Sequence, residues 1–197
     1  MNNLNLLISR DRIAQRVAAM GREISADSGG PIIFIGVLKG AAIFLSDLIR
    51  QVRIDASFDF IGVSSYGNPS GPARARVWDS TGEVRLTKDV DQSLRGKNVV
   101  LVEDILDTGL TLTFLKRLLL GHEPKSLRVA VLLDKPSRRK LPVTADYIGF
   151  TIADEFVVGY GLDYAEQFRN LPDICVLPNV SLEPIEPSTV PGPGNPG

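Results

Sequence analysis

Apolar runs of strand length alternate along this chain with segments of helical length. A run dominated by Val, Leu, Ile and Phe predicts a strand buried on both faces, as in a parallel sheet. Such runs occupy residues 32–38, 58–64, 99–103 and 127–133. Helical segments lie between them at 40–52 and 110–120. The alternation predicts an α/β fold, a Rossmann-like parallel sheet with right-handed crossovers and flanking helices.

Further elements are predicted at both ends of the chain. Apolar residues recur at helical spacing from Ile13 to Ile24, with Ser9 as a candidate N-cap and Gly29–Gly30 as the end of the helix. Short strands are expected near 147–150, 156–158 and 174–177. Residues 65–82 predict a long loop, and the Pro- and Gly-rich residues 181–197 predict a disordered tail. Residues 1–180 are then a single domain.

The composition excludes several classes of function. Lys+Arg number 22 and Asp+Glu 23, so the net charge of −1 gives no drive toward nucleic acid or an anionic membrane. The apolar runs are too short to span a bilayer, and the first residues lack a signal-peptide pattern. The single cysteine, Cys175, excludes an internal disulfide and fits a reducing compartment, so we expect a cytoplasmic protein.

The strongest chemical signal is VVLVEDILDTGLTL at residues 99–112. An apolar strand leads through two carboxylates into an Asp-Thr-Gly turn at the carboxyl edge of the sheet, where open α/β sheets bind ligands. Gly109 lets a ligand approach the backbone, and the N–H groups at the start of the next helix favour phosphate. Thr108 and Thr111 add hydroxyl donors. We therefore predict that this turn binds phosphate.

Glu103 and Asp104 precede the turn and would repel a phosphate at contact. They are suited instead to accept hydrogen bonds from sugar hydroxyls or to hold a divalent cation. The sequence contains neither a P-loop nor a G-x-G-x-x-G string after a strand, so other phosphate loops lack support. The alternative is an ordinary strand-to-helix loop in which Asp107 and Thr108 act only as turn and cap residues.

The stretch 99–112 resembles the phosphoribosyl-diphosphate (PRPP) binding signature of type I phosphoribosyltransferases. Four further segments, in the family's order, narrow the resemblance to the hypoxanthine-guanine phosphoribosyltransferases. They are GVLKGA at 36–41, VSSYG at 63–67, VLLDKPSRR at 131–139 and FVVGYGLDYAEQFRNLP at 156–172. The resemblance extends from about residue 5 to 180.

The resemblance implies a type I phosphoribosyltransferase fold with a small hood formed by N- and C-terminal segments. It implies transfer of 5-phosphoribosyl from PRPP to N9 of a 6-oxopurine, hypoxanthine or guanine, giving IMP or GMP and diphosphate in purine salvage. It also implies Mg²⁺ and a homodimer or homotetramer, with the Lys39 region near a subunit interface. The expected partners are small-molecule substrates, without nucleic acid or membrane.

Asp107 is the candidate catalytic residue. A purine that attacks the ribose through one imidazole nitrogen must lose a proton from the other, and a nearby carboxylate can accept it as general base. The carboxylate also offsets the positive charge that develops on the ribose. The family assigns this role to the matching aspartate. We expect the 5′-phosphate and ribose to be held by Glu103, Asp104, Asp107, Thr108, Gly109, Leu110 and Thr111.

Other roles rest on the resemblance. The family has a non-proline cis peptide in the turn that matches Leu38-Lys39-Gly40, and Lys39 and Gly40 match its diphosphate contacts, as does Arg169. Asp163 resembles a Mg²⁺ ligand, and Glu103 and Asp104 complete the candidate metal set. A highly charged leaving diphosphate is an independent chemical reason to expect a metal.

The purine contacts also follow from the resemblance. Lys135 resembles the lysine that donates to the 6-oxo oxygen, which would favour 6-oxopurines over adenine. Phe156 resembles the aromatic that stacks on the base, although a Phe in an apolar strand is more often a core residue. Val157 and Asp163 lie where backbone groups read the purine edge. Arg138, Arg139 and Lys140 are interpreted as a solvated face.

Ser65 and Tyr66 match the loop that closes over the reacting groups and excludes water. The sequence departs from the family at GNPSGPARARVWD, an insertion-like stretch after Tyr66 that lengthens this loop. A second departure is Leu110, where relatives often carry a polar or basic residue; its backbone N–H still suits phosphate.

Two other functions remain open at this stage. The first is an enzyme of the same fold that uses xanthine or a pyrimidine. Lys135 and the 156–164 segment argue against the pyrimidine. The second is a PRPP-sensing regulator that binds nucleic acid. Such a regulator can lose the catalytic Asp and needs a basic face or an added domain, whereas Asp107 is present here and no such addition is visible.

Overall fold

The structure, a computed structural model, describes residues 4–65 and 84–178. The predicted tail and nearly all of the predicted 65–82 loop lie outside the described residues. The helices are α1 (Arg10–Asp27), α2 (Ala42–Ile49) and α3 (Leu110–Leu120). The strands are β1 (Asn5–Ile8), β2 (Ile32–Leu38), β3 (Ala56–Ser65), β4 (Val84–Lys88), β5 (Asn98–Leu106), β6 (Ser126–Asp134), β7 (Tyr147–Thr151), β8 (Val157–Val158) and β9 (Ile174–Val176).

A six-stranded sheet in the order β4-β3-β2-β5-β6-β7 forms the centre of the fold. The strands from β3 to β7 in this order are parallel, which confirms the predicted Rossmann-like sheet. The edge strand β4 pairs antiparallel with β3 and was not predicted. Its residues alternate between half-buried and exposed, so no continuous apolar run marks it in the sequence.

The strand order places a crevice at one edge of this sheet. The crossover through α2 leads from β2 outward to β3, whereas the crossover through α3 leads from β5 in the opposite direction to β6. Right-handed crossovers in opposite directions put the two helices on opposite faces. The order therefore reverses between β2 and β5, and a ligand crevice opens beyond the carboxyl ends of these two strands.

Element boundaries near that crevice differ from the predictions. Helix α2 begins at Ala42 rather than at residue 40, because the preceding residues form a turn in which Ala41 N–H donates to the Val37 carbonyl at 3.1 Å. Strand β5 continues to Leu106 rather than ending at residue 103, so Asp104 as well as Glu103 lies inside the strand. Helix α1 begins after Ser9, as predicted, and the Ser9 hydroxyl accepts a backbone N–H at 3.4 Å.

A second, three-stranded antiparallel sheet, β1-β9-β8, joins the two ends of the described chain. Arg10 at the start of α1 forms an ion pair of 3.1 Å with Asp173, which precedes β9. This small sheet is the hood that the resemblance implied. Among residues 4–65 and 84–178, no helix combines the length and apolarity needed to cross a membrane.

Candidate active site

A cavity of about 640 Å³ occupies the crevice between the carboxyl ends of β2 and β5. Three segments contribute to its walls. They are the turn after β2, the end of β5 with the turn that follows it, and the loop between β8 and β9. The predicted site residues that line it are Lys39, Gly40, Glu103, Asp104, Asp107, Thr108, Gly109, Thr111, Asp163 and Arg169. Residues separated by up to 130 positions in sequence are thus brought to one cavity.

The Asp-Thr-Gly turn has the backbone geometry expected of a phosphate cradle. Gly109 has a φ of 87°, in the left-handed region that favours glycine, and α3 begins immediately after it. The first intrahelical bond runs from Thr113 N–H to the Gly109 carbonyl at 3.0 Å. The Leu110 N–H donates to the Thr108 hydroxyl at 3.4 Å, and the N–H groups of Thr111 and Leu112 precede the first intrahelical bond at the same helix end. Such a helix start attracts an anion.

Glu103 and Asp104 form an acidic pair in β5, a few residues before this turn. Glu103 is only 6% exposed, and its Oε2 has no hydrogen-bond partner among the described residues. Burial, with a smaller contribution from Asp104, raises the pKa of Glu103 to about 8. Burial also raises the pKa of Asp104 to about 6, against the lowering effect of its hydrogen bond from Ile105 N–H. A buried carboxyl group without a hydrogen-bond partner at a cavity is suited to bind a hydroxyl group or, once ionised, a cation.

The third candidate metal ligand, Asp163, is already engaged. One of its oxygens pairs with Arg169 at 2.8 Å, and the other accepts the Glu166 N–H at 2.8 Å. Within the described ranges, no group of three His, Cys, Asp or Glu side chains is arranged to hold a metal. Glu103 and Asp104 therefore fit a Mg²⁺ ion that brings substrate oxygens as its remaining ligands, which is the usual manner of Mg²⁺ binding.

The predicted diphosphate residues Lys39, Gly40 and Arg169 also line the cavity. The Leu38–Lys39 peptide is cis, as the resemblance implied. Lys39 Nζ pairs with Glu166 Oε2 at 2.9 Å, and Arg169 reaches the other oxygen of Glu166 at 3.4 Å. The hydrogen bond from Lys39 lowers the pKa of Glu166. Two cations and the turn after β2 thus face one region, which suits a polyanionic group.

Asp107, the candidate base, carries an ion pair that the sequence did not reveal. Arg138 Nε donates to its Oδ1 at 3.0 Å, and the guanidinium also contacts Asp154 at 3.5 Å. Arg139 donates to the carbonyls of Leu106 and Asp107 and pairs with the buried Asp134.

The interpretation of residues 138–140 as a solvated face was therefore wrong for its two arginines. The Arg138 and Arg139 side chains are only 22% and 17% exposed, because the 3₁₀ turn at Pro136–Arg138 directs them onto the phosphate turn. Lys140 is exposed and lines the cavity. A run of three cations carries no signal in sequence for which of them is paired.

Of the predicted purine residues, Asp163 lines this cavity, whereas Lys135, Phe156 and Val157 do not. Lys135 is 2% exposed, and its Nζ donates to the Glu155 carbonyl at 2.5 Å and lies 3.8 Å from Asp154. Burial lowers the pKa of this lysine, although Asp107 and Asp154 act in the opposite direction. Val157 is buried in β8.

Phe156 belongs to a small apolar cluster of the hood. Its ring meets that of Tyr164 edge-on, with centroids 5.5 Å apart, and it packs with Val158 and Leu177. The structure thus joins the predicted phosphate, acidic and diphosphate residues at one cavity, and of the predicted purine residues only Asp163 belongs to its walls.

The closing loop is only partly described. Ser65 ends β3, where its backbone is in register with Val84, and Tyr66 lies outside the described residues. Val63 and Ser64, the two residues before Ser65, line the cavity; they belong to the VSSYG segment but were not among the predicted site residues.

Comparison with known proteins agrees with this geometry. Residues 8–165 match the model of the phosphoribosyl transferase domain. The chain is 44% identical over 176 residues to hypoxanthine phosphoribosyltransferase of Escherichia coli (strain K12), covering 88% of this chain and 94% of the relative. It is 45% identical over 173 residues to hypoxanthine-guanine phosphoribosyltransferase of Bacillus subtilis (strain 168), covering 87% and 92%.

A solved structure extends the similarity to three dimensions. A hypoxanthine-guanine phosphoribosyltransferase from Bacillus anthracis superposes with a TM-score of 0.80 at 48% identity, over 87% of this chain and 97% of that one. Similarity at this level over nearly the full length shows more than a shared fold. The chain therefore belongs to the phosphoribosyl transferase family and falls within its hypoxanthine-guanine phosphoribosyltransferase branch.

Proposed function

We propose that this protein transfers the 5-phosphoribosyl group of PRPP to N9 of a 6-oxopurine, hypoxanthine or guanine. The products are IMP or GMP and diphosphate. The names of the most similar relatives support this reaction. The observation that carries it is the carboxylate of Asp107 at the mouth of a helix-start phosphate cradle, in the same cavity as an acidic pair and a cationic turn.

Each substrate group has a matching wall of the cavity. The 5′-phosphate is assigned to the N–H groups and hydroxyls of residues 108–111. The ribose hydroxyls are assigned to Glu103 and Asp104, whose carboxylates are suited to accept hydrogen bonds. The diphosphate is assigned to Lys39, Gly40 and Arg169. When bound, Mg²⁺ supplies positive charge to the departing diphosphate, and Glu103, Asp104 and Asp163 are its proposed protein ligands.

The chemical step moves one bond and one proton. N9 of the purine forms a bond to C1′ of the ribose while the bond from C1′ to the diphosphate oxygen breaks, with its electrons leaving on the diphosphate. The proton on N7 passes to the carboxylate of Asp107, which acts as general base. While positive charge grows on the ribose ring, the same carboxylate stabilises it electrostatically.

The purine is proposed to bind next to the buried lysine of β6. Lys135 donates to the 6-oxo oxygen, an interaction that the 6-amino group of adenine does not offer. Phe156 stacks on the base, and the backbone at Val157 and Asp163 reads its edge. Lys135 and Phe156 lie outside the walls of the cavity described above, and Asp163 lies within them. Ser65 and Tyr66 are assigned to the segment that closes over the reacting groups.

We further propose a cytoplasmic homodimer or homotetramer that takes small-molecule substrates and neither nucleic acid nor membrane. The near-zero net charge of −1 supports the exclusion of polyanionic partners. Light scattering of the purified protein, read as two or four copies, tests the assembly.

A steady-state assay tests the function directly. Purified protein is incubated with PRPP, Mg²⁺ and each of hypoxanthine, guanine, xanthine and adenine, and nucleotide formation is followed by absorbance. We expect turnover with hypoxanthine or guanine and at least about 100-fold lower kcat/KM with adenine, since the lysine site rejects a mismatched donor. The proposal is contradicted if adenine is the only base that is converted, or if none of the four bases is converted.

A further inference from the structure

Arg138 occupies a position between the candidate base and the purine region. Its Nε donates to Oδ1 of Asp107 at 3.0 Å, and its Nη1 contacts Oδ2 of Asp154 at 3.5 Å. Oδ1 of Asp154 in turn lies 3.8 Å from Nζ of Lys135. A chain of alternating charges therefore links Asp107 to Lys135.

Arg138 differs from its neighbour in what it contacts. Arg139 donates to main-chain carbonyls of the turn, so it holds the backbone of the phosphate cradle. Arg138 instead contacts the side chain of Asp107. Its backbone is fixed by the 3₁₀ turn that begins at Pro136, in which Arg138 N–H donates to the Lys135 carbonyl at 3.2 Å. The turn thus fixes the backbone of Arg138, and the carboxylates of Asp107 and Asp154 hold its guanidinium group.

The pair also distinguishes the two oxygens of the base. The hydrogen bond from Nε of Arg138 is made to Oδ1 of Asp107, not to Oδ2. A guanidinium that donates through Nε is directional, so it restricts rotation of the carboxylate about its terminal torsion. With Oδ1 held in this way, Oδ2 is the oxygen that we assign to the incoming proton donor.

We propose that Arg138 is a positioning residue for the transfer reaction: it holds Oδ1 of Asp107, so that Oδ2 meets the N7 proton of the purine. The inference rests on the proposed function, in which Asp107 is the general base. Asp154 contacts both Arg138 and Lys135, so it sets the spacing between the base and the group that orients the purine. Pre-orientation of this kind lowers the barrier without adding a contact to the substrate.

A double-mutant cycle tests the proposal. Arg138→Gln is compared with wild type, and the Arg138→Gln/Asp107→Asn protein is compared with Asp107→Asn. If Arg138 acts through Asp107, we expect Arg138→Gln to lower kcat about tenfold in the first comparison and less than about twofold in the second. The KM for PRPP is expected to change less than about threefold in both. Arg138→Lys is expected to recover part of the lost kcat, since it keeps the charge but loses the directional Nε donor.

Several outcomes overturn the proposal. Equal losses in the two backgrounds show that Arg138 acts independently of Asp107. A raised KM for PRPP with unchanged kcat shows a direct substrate contact. A higher kcat in Arg138→Gln shows that the arginine restrains the base instead of positioning it. If Arg138→Gln does not fold, the Arg138→Lys variant in both backgrounds makes the same comparison.

The cycle also separates failure of this inference from failure of the proposed function. An inactive wild-type protein, or an Asp107→Asn protein with wild-type turnover, contradicts the function or the base assignment, and the inference falls with it. An active wild type with a crippled Asp107→Asn variant leaves both standing, and the cycle then judges Arg138 alone. Arg22→Gln, at an exposed arginine of α1 outside the cavity lining, is the matched control and should retain wild-type kcat.

Discussion

The backbone of Gly40 lies so close to the carboxylate of Asp104 that a β-carbon at residue 40 would overlap its Oδ2. The two residues belong to neighbouring strand ends, one in the turn after β2 and the other in β5. Oδ1 of Asp104 is held by the N–H of Ile105 at 2.8 Å. A side chain at position 40 must therefore displace the carboxylate from the cavity wall. The position of the Asp104 carboxylate thus depends on a glycine in the turn after β2.

The first prediction concerns this contact. We expect Gly40→Ala to lower kcat/KM for PRPP by about 100-fold or more, since misplacement of site groups by about 1 Å has effects of this size. Steady-state kinetics at varied PRPP measures the effect. Gly29→Ala is the control, because a β-carbon there meets no atom within 4 Å and Gly29 lies outside the cavity lining. Similar kinetics in the two variants would show that the contact has no role in the site.

The second prediction concerns Asp107. We expect Asp107→Asn to lower kcat by about 10²- to 10⁴-fold, the usual contribution of a general base, while PRPP binding is retained. Single-turnover rates measure the chemical step, and calorimetric titration with PRPP and Mg²⁺ measures binding. Asp55→Asn, at an exposed residue before β3, is the control. Loss of PRPP binding together with turnover would make Asp107 a substrate ligand instead of a base.

The third prediction concerns purine selection. Lys135→Gln removes a buried charged donor, and such hydrogen bonds contribute about 1.5–3 kcal/mol, or about 10- to 150-fold. We expect the KM for hypoxanthine or guanine to rise by this factor while the KM for PRPP stays unchanged. The measurement is a pair of substrate titrations, each at saturating co-substrate. A rise confined to the KM for PRPP would move Lys135 out of the purine site.

The fourth prediction concerns stability in acid. The Asp59 side chain is 10% exposed, and burial by itself raises its pKa. Backbone N–H donors, including those of Asp91 and Gln92, and the charge of Lys88 outweigh this effect, so the pKa of Asp59 lies below its usual value. A lowered carboxyl pKa stabilises the folded state at neutral pH, and this contribution disappears as the pH falls through the lowered value. We expect Asp59→Asn to lose about 1–2 kcal/mol of unfolding free energy at pH 7.

The pH dependence makes this prediction specific. The difference between wild type and Asp59→Asn should be constant from about pH 7 to pH 5 and shrink below about pH 4, where the wild-type carboxylate takes up a proton. Urea unfolding at several pH values measures it. Asp55→Asn again serves as the control, and a difference that persists at the lowest pH would exclude ionisation as the cause.

The fifth prediction concerns the metal. Because the proposed reaction uses Mg²⁺, we expect EDTA to abolish turnover. Because the described residues hold no group of three metal ligands, we expect EDTA to shift the melting temperature of the substrate-free protein by less than about 1 °C. Addition of excess Mg²⁺ should restore activity. A large drop in melting temperature on chelation would instead indicate a resident structural metal.

The parts of the site that were predictable from sequence are local. The phosphate turn is written in consecutive residues, because a strand, a glycine at positive φ and a helix start follow one another from Val99 to Thr111. The same holds for Ser9 as the cap of α1. In these cases the residue types and the backbone conformation are joined within a few positions.

The unpredicted parts depend on distant pairings. Arg138 is 31 positions from Asp107, and only the folded 3₁₀ turn places it there. Strand β4 exists because β3 offers it an edge, since its own alternation is weak. The end of β5 was placed three residues early, because polar residues at a cavity interrupt the apolar run that signals a strand. The polar residues that make the end of β5 suitable for a site are therefore the residues that conceal this strand end in the sequence.

The hood has a consequence for how the protein is made. Strand β1 pairs with β9, and its partner Ile174 is 166 positions from Ile8. During translation, every strand of the six-stranded sheet has left the ribosome before β9 does. A nascent chain that ends before residue 174 holds the cradle and the acidic pair but leaves β1 unpaired. The cavity wall formed by Asp163, Glu166 and Arg169 is likewise synthesised after every strand of the six-stranded sheet.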